Sequence, residues 1–265
     1  MTSPIPRGVV VELCGLPGAG KTSLVRTIGN DPTAPRVTRP TGRVAPEVAP
    51  ARRVPRKLRL ALEGSVRRPG SELSMAHHIL RSHQPGPAGA ASRWIQWSTT
   101  QALIDRARSR SGVHLFDEGV LQALWSIALH GDAAAILRAL RGSTGLWASP
   151  DLVLVLDPPV DELVQRLRLR RSRHSRVQRL SDDVELRAEL VRGRAMLDEL
   201  LAWWQESRPG APIVRLGDND RDPDAAVHMA TDAIEALLRR DSRASSDAPQ
   251  RVGHPSSSPT VGTGT

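Results

Sequence analysis

Short apolar runs rich in branched residues alternate along this chain with stretches whose apolar residues recur every three or four positions. GVVVELC at 8–14 is a buried-strand pattern that ends on Gly15. A glycine-rich turn and a helix near 20–29 follow. Residues 30–56, rich in Pro, Arg and Thr, predict loop with one short strand near 35–39. Helical spacing returns near 56–67, 71–83 and 90–111, the last with Trp94, Trp97, Ala102 and Leu103 toward one face. VHLFDEG at 113–119 predicts a strand that stops at acids, followed by helices near 120–130 and 132–141. DLVLVLD at 151–157 is the clearest strand. The helix after it sets Val160, Leu163, Val164 and Leu167 at i, i+3, i+4 and i+7. A long helix over 183–206 aligns Leu190, Leu197, Leu201 and Trp204. PIVRLGD at 212–218 gives a last strand, and Asp222-Pro223 opens a helix to about Arg240. Residues 241–265 carry almost no apolar side chains and are expected to be disordered.

Strands alternating with helices predict an α/β fold: a parallel sheet with helices on both faces, in one domain over 1–240. Ligands of such sheets bind beyond the carboxyl ends of the strands. At 265 residues and 39% apolar, the chain can bury a sizeable core. It offers no run near the ~18 apolar residues of a membrane span. MTSPIPRGVV lacks the basic and apolar regions of a signal peptide, so a cytoplasmic protein with no membrane partner is expected. A single cysteine, Cys14, excludes an intrachain disulfide and a multi-cysteine metal site.

The formal net charge of +9 is unevenly placed. Segments 36–59 and 166–179 each carry +7, leaving −5 for the remainder. Two basic patches suit a phosphate ester and also nucleic acid. Nearly all of the cations are Arg; only Lys21 and Lys57 are Lys, which makes each lysine informative.

Gly15-Leu16-Pro17-Gly18-Ala19-Gly20-Lys21-Thr22 matches G-x-x-x-x-G-K-[ST] between a predicted strand and a predicted helix. Such a loop turns successive backbone N–H groups inward on phosphate oxygens, with the helix N-terminus aimed at the same anion. Nucleotide contacts are expected from Gly15, Pro17, Gly18, Ala19, Gly20, Lys21, Thr22 and Ser23. Lys21 would reach the β- and γ-phosphates of ATP, and the Thr22 hydroxyl would ligate Mg²⁺. Phe116-Asp117-Glu118-Gly119 ends a strand the way a Walker B segment does. Asp117 is the second expected Mg²⁺ ligand, and Glu118 a general base or a partner for an arginine. Asp157 reads as a helix-start residue. Seven arginines at 166, 168, 170, 171, 173, 176 and 179 surround a break in helical pattern. Arg166 and Arg170, four residues apart, are the candidates to face the site and stabilise a transferring phosphoryl group. Gly217-Asp218-Asn219 lies where it could contact adenine.

With these motifs in order, the chain resembles the P-loop kinases of the thymidylate kinase and nucleoside/nucleotide kinase superfamily. GLPGAGKT, FDEG, SPDLVLVLDPPVDELVQRLRLRR and PIVRLGD carry the resemblance, over roughly 8–240. It implies a mainly five-stranded parallel sheet in a three-layer fold and transfer of the ATP γ-phosphate to a small acceptor, and it is compatible with a homodimer. It also implies an acceptor pocket on the helix bearing Arg93, Trp94, Trp97 and Gln101, although Trp residues at such spacing more often belong to a core. Two positions depart from the family pattern: Cys14 stands where the deoxynucleotide kinases have Glu, and Glu118 where they have Arg. Two other readings use the same residues. VHLFDE also fits an ATPase or nucleotide switch in which the Glu activates water, and the basic patches also fit a nucleic-acid end kinase.

Overall fold

The computed structural model describes residues 7–31, 37–38, 50–141, 147–169, 180, 182–216 and 223–246. Four strands form the body of a parallel sheet: β1 (Val9–Gly15), β3 (Val113–Phe116), β4 (Leu152–Leu156) and β5 (Ile213–Leu216). A two-residue segment, β2 (Val37–Thr38), pairs with the outer side of β3 and completes the order β2-β3-β1-β4-β5. The expected fifth strand is therefore a short edge pairing beside four full strands.

The helices are α1 (Lys21–Asn30), α2 (Pro50–Arg67), α3 (Pro69–Arg81), α4 (Gly86–Arg108), α5 (Val120–His130), α6 (Ala133–Arg141), α7 (Val160–Leu169), α8 (Asp183–Ser207) and α9 (Pro223–Ser246). Three of them overrun their expected bounds. α2 starts at Pro50 inside the stretch expected to be loop, with Pro55 within it. α4 starts at Gly86 behind Pro85, and α9 runs six residues past Arg240 to Ser246. Residues 247–265, the rest of the expected tail, lie outside the described residues.

β1, β3 and β4 are buried along their whole length, as a sheet covered on both faces requires. α1 and α9 pack together on one side, while α4, α5 and α8 pack on the other. β1 is central, flanked by β3 and β4, so the strand order reverses direction at β1. That reversal opens a crevice beyond the carboxyl end of β1, and the glycine-rich turn emerges there. Among the described residues no helix is long and apolar enough to cross a membrane.

Candidate functional site

β1 brings the chain to Gly15, level with Leu156 at the end of β4. The backbone then turns into α1 through Gly18 and Gly20, both at φ 93°. L side chains avoid this left-handed region, so the turn needs glycine at these two positions. Gly20 is the N-cap of α1, with no side-chain cap, and the first helical turn carries no acid. The partial positive charge of the helix N-terminus is thus not countered by a carboxylate of that turn. Lys21 folds back over the loop, its Nζ donating to Gly15 O at 2.5 Å and Leu16 O at 3.1 Å. Ala19 is buried, Pro17 half-buried, and Thr22 and Ser23 exposed.

Asp117 follows β3 directly and is 4% exposed. The Thr22 hydroxyl donates to its Oδ2 at 3.0 Å, joining residues 95 positions apart. The two expected metal ligands therefore meet. Both are hard oxygen donors of the kind Mg²⁺ takes, and two protein ligands leave the other positions to phosphate and water. Among the described residues no group of three His, Cys, Asp or Glu could hold a metal ion unaided, so the donor set fits a cation carried in on a nucleotide. Glu118, the next residue, is exposed.

Arg166, in the last turn of α7, reaches the loop. Its Nη1 donates to Gly18 O at 3.2 Å while Nη2 pairs with Glu162 at 3.3 Å. Arg168 is engaged with Asp183 at 2.5 Å and with Leu180 O. Arg170, Arg171, Arg173, Arg176 and Arg179 lie outside the described residues, as do Gly217, Asp218 and Asn219. Asp157 differs from its expected part as a helix-start residue: Arg194 of α8 lies 2.8 Å from it and Arg215 of β5 3.4 Å.

On α4 the structure separates residues that spacing had grouped. Trp97 is fully buried, edge-on to Trp147 with centroids 5.4 Å apart. Gln101 is fully buried as well, and its Oε1 accepts from Ala148 N at 2.9 Å. Both are packed into the core, where Gln101 Nε2 and Trp97 Nε1 have no hydrogen-bond partner among the described residues, while Trp94 is half-buried against that core. Arg93 instead faces α5, its Nη1 donating to Ser126 Oγ at 2.7 Å and Gln96 Oε1 at 3.1 Å. Burial lowers its pKa, because the charged guanidinium loses solvent there.

Glu12 had no assigned part in the sequence reading. It lies within β1, 1% exposed, and burial pushes its carboxyl up to about 7 against the pull of backbone N–H groups at the start of α5. Its Oε1 accepts from Gln122 N at 2.9 Å and from the Cys14 thiol at 3.6 Å. The Cys14 thiol is in turn raised well above its ordinary range by burial and by the Glu12 charge. The available signal was a lone acid inside an otherwise apolar strand, VVVELC.

No family model and no curated protein matches the chain. Among solved structures it is similar to deoxyadenosine kinase from M. mycoides, at 10% identity and TM-score 0.47, over 86% of this chain and 100% of that one. Thymidylate kinase from Candida albicans is similar at 16% and 0.43, over 91% and 94%, and shikimate kinase from Bacteroides thetaiotaomicron at 13% and 0.40, over 87% and 98%. Likenesses this distant fix no activity for this chain.

Proposed function

We propose that the chain is an ATP-dependent phosphotransferase that moves the γ-phosphate of Mg·ATP to a small acceptor, a nucleoside, a nucleotide or another small molecule. One observation carries the reading: the 3.0 Å contact of Thr22 with Asp117, at the mouth of a loop that Lys21 already spans. It joins a phosphate cradle and a carboxylate strand end at the sheet's crevice, which phosphoryl transfer from a metal nucleotide requires.

Mg·ATP, when bound, supplies the transferable phosphoryl group and a divalent charge shared among its oxygens. The chain does the rest. The backbone of Gly15, Pro17, Gly18, Ala19 and Gly20 cradles phosphate oxygens, with Ser23 on the first turn of α1. Lys21 exchanges its two carbonyl partners for phosphate oxygens and neutralises their charge. Thr22 and Asp117 would hold the cation. Arg166 sits at Gly18 O and needs only to leave Glu162 to meet charge that develops during transfer. Arg170 is the second arginine proposed for that role. Glu118 is exposed beside the site, where it can accept the proton of an attacking hydroxyl.

ATP turnover with and without a panel of nucleosides, nucleotides and sugars tests the reading. Acceptor-dependent formation of ADP is expected. Acceptor-independent hydrolysis that stops in Glu118→Gln, with ATP trapped, would replace the reading by that of an ATPase. Turnover dependent on oligonucleotide ends would replace it by a nucleic-acid kinase.

A further inference from the structure

The loop Asp117–Gly119 leaves β3 and enters α5, and the residue that begins α5 does not cap it. Gly119 is the N-cap, with no side-chain hydrogen bond to the helix, and the first turn of α5 carries no acid. The first amides of a helix need an acceptor when they are buried. They receive one from a different strand: Oε1 of Glu12 takes the Gln122 amide at 2.9 Å, and the amides of Leu121 and Val120 also favour its charged form.

Gly119 is what admits this carboxylate. A Cβ there would lie 2.3 Å from Glu12 Cδ and 2.5 Å from Oε2. Its φ is −109°, open to any residue, so the requirement is for space and not for a special backbone. A local Ser or Asp cap at 119 and the remote Glu12 cap thus exclude each other, and this chain has the remote one. The consequence is geometric. Glu12 precedes the loop glycine Gly15 by three residues on β1, and Thr22 follows on α1. The acidic segment is therefore tied twice to one β1–loop–α1 unit, at Asp117 by Thr22 and at Gln122 by Glu12.

We propose that Glu12 is a positioning residue for the site: from β1 it clamps the start of α5, and so holds Asp117 and Glu118 in register with the phosphate loop. It touches neither nucleotide nor metal. The activity it supports is that of the phosphotransferase reading and rests on it, but the clamp itself can be measured without activity.

The experiment compares the parent chain with Glu12→Leu, which keeps most of the side-chain volume and removes both oxygen acceptors. Amide hydrogen exchange over 113–125 should accelerate in the variant while other strands stay protected; unchanged exchange overturns the clamp whatever the activity. Turnover of Mg·ATP should fall about tenfold in kcat with little change in KM for ATP. Exchange that accelerates with kcat intact overturns the positioning role. If Glu12→Leu does not fold, the double variant Glu12→Ala with Gly119→Ser decides. It restores a local cap without the tie to β1. Recovery of melting temperature with kcat still low supports the proposal, and recovery of both reduces Glu12 to a cap and overturns it. A parent chain that turns over no ATP with any acceptor counts against the phosphotransferase reading, and exchange alone then decides the clamp.

Discussion

The crevice end of the sheet and the helical layer of α2–α4 use the same side-chain types to opposite ends. Around the phosphate loop, charged and hydroxyl groups from α1, the end of β3 and α7 gather: Lys21, Thr22, Asp117 and Arg166. In the helical layer they pair with one another. Arg68 holds Asp105, Arg106 holds Glu63, and the buried Glu72 carboxylate accepts from Ser98. Trp97 and Gln101 are consumed by the core. Ion pairs such as these stabilise a layer, although Trp97 Nε1 and Gln101 Nε2 are buried there without a hydrogen-bond partner among the described residues, whereas the loop gathers a cation, a hydroxyl and a carboxylate about one turn of backbone. In the proposed reading the phosphate-loop side carries the chemistry and the helical layer is chiefly a scaffold, where Arg93 is a cation bonded to the neutral oxygens of Gln96 and Ser126.

That contrast can be broken most sharply at Lys21. Lys21→Ala should lower turnover about a thousandfold or more and weaken ATP binding, with the melting temperature near the parent's. Turnover that survives would place the reacting phosphate elsewhere. Trp97→Ala should do the reverse, destabilising the fold by about 3–5 kcal/mol in denaturant melts while turnover per folded molecule is kept. A selective loss of acceptor affinity would instead return Trp97 to a pocket.

The third test is one of pH. Burial raises the Glu12 carboxyl from 4.5 to about 7, so the folded state prefers its protonated form. The stability this gives is complete below about pH 4.5 and is lost as pH rises through 7, by up to about 3 kcal/mol. Urea melts of Glu12→Gln at pH 5 and pH 8 should lack that slope; an unchanged slope would assign it to other groups. Arg166→Ala should cost about tenfold in kcat with ATP affinity little changed, since its charge is needed only as transfer proceeds. The smallest effect is expected for removal of residues 247–265. With no apolar pattern there to bury, the melting temperature and ATP binding should stay as in the parent. A clear drop would mean that this segment docks.

Local signals made the crevice legible in the sequence. GLPGAGKT fixes a turn through backbone conformation alone, and runs such as LVLVL announce buried strands without reference to any partner. The helical layer was less so. The spacing of Trp97 and Gln101 identifies an inward face of α4, but whether that face meets ligand or protein depends on Trp147 and Ala148, about fifty residues on. α2 was missed over its first turns because proline and arginine read as loop; Pro55 is the sixth residue of the helix, beyond the amides that lack helical partners, so the helix runs through it at the loss of one backbone hydrogen bond. Glu12 was missed because its meaning arises only when Gly119 is brought beside it, and no spacing rule links a strand position with the N-cap of a distant helix.

The tryptophans have an optical consequence. The chain holds six and no tyrosine, so near-ultraviolet absorption is almost wholly that of indole. Trp97, Trp147, Trp203 and Trp204 form a row with centroids 5.4–6.2 Å apart, close enough to share excitation and to give coupled circular-dichroism bands. Trp125 forms no ring pair in that row. Its N–H donates to Gly193 O at 2.7 Å, and Gly193 lies against both the Trp125 ring and Leu16 of the phosphate loop. The molecule thus places one indole, Trp125, at the junction of α8 with the phosphate loop.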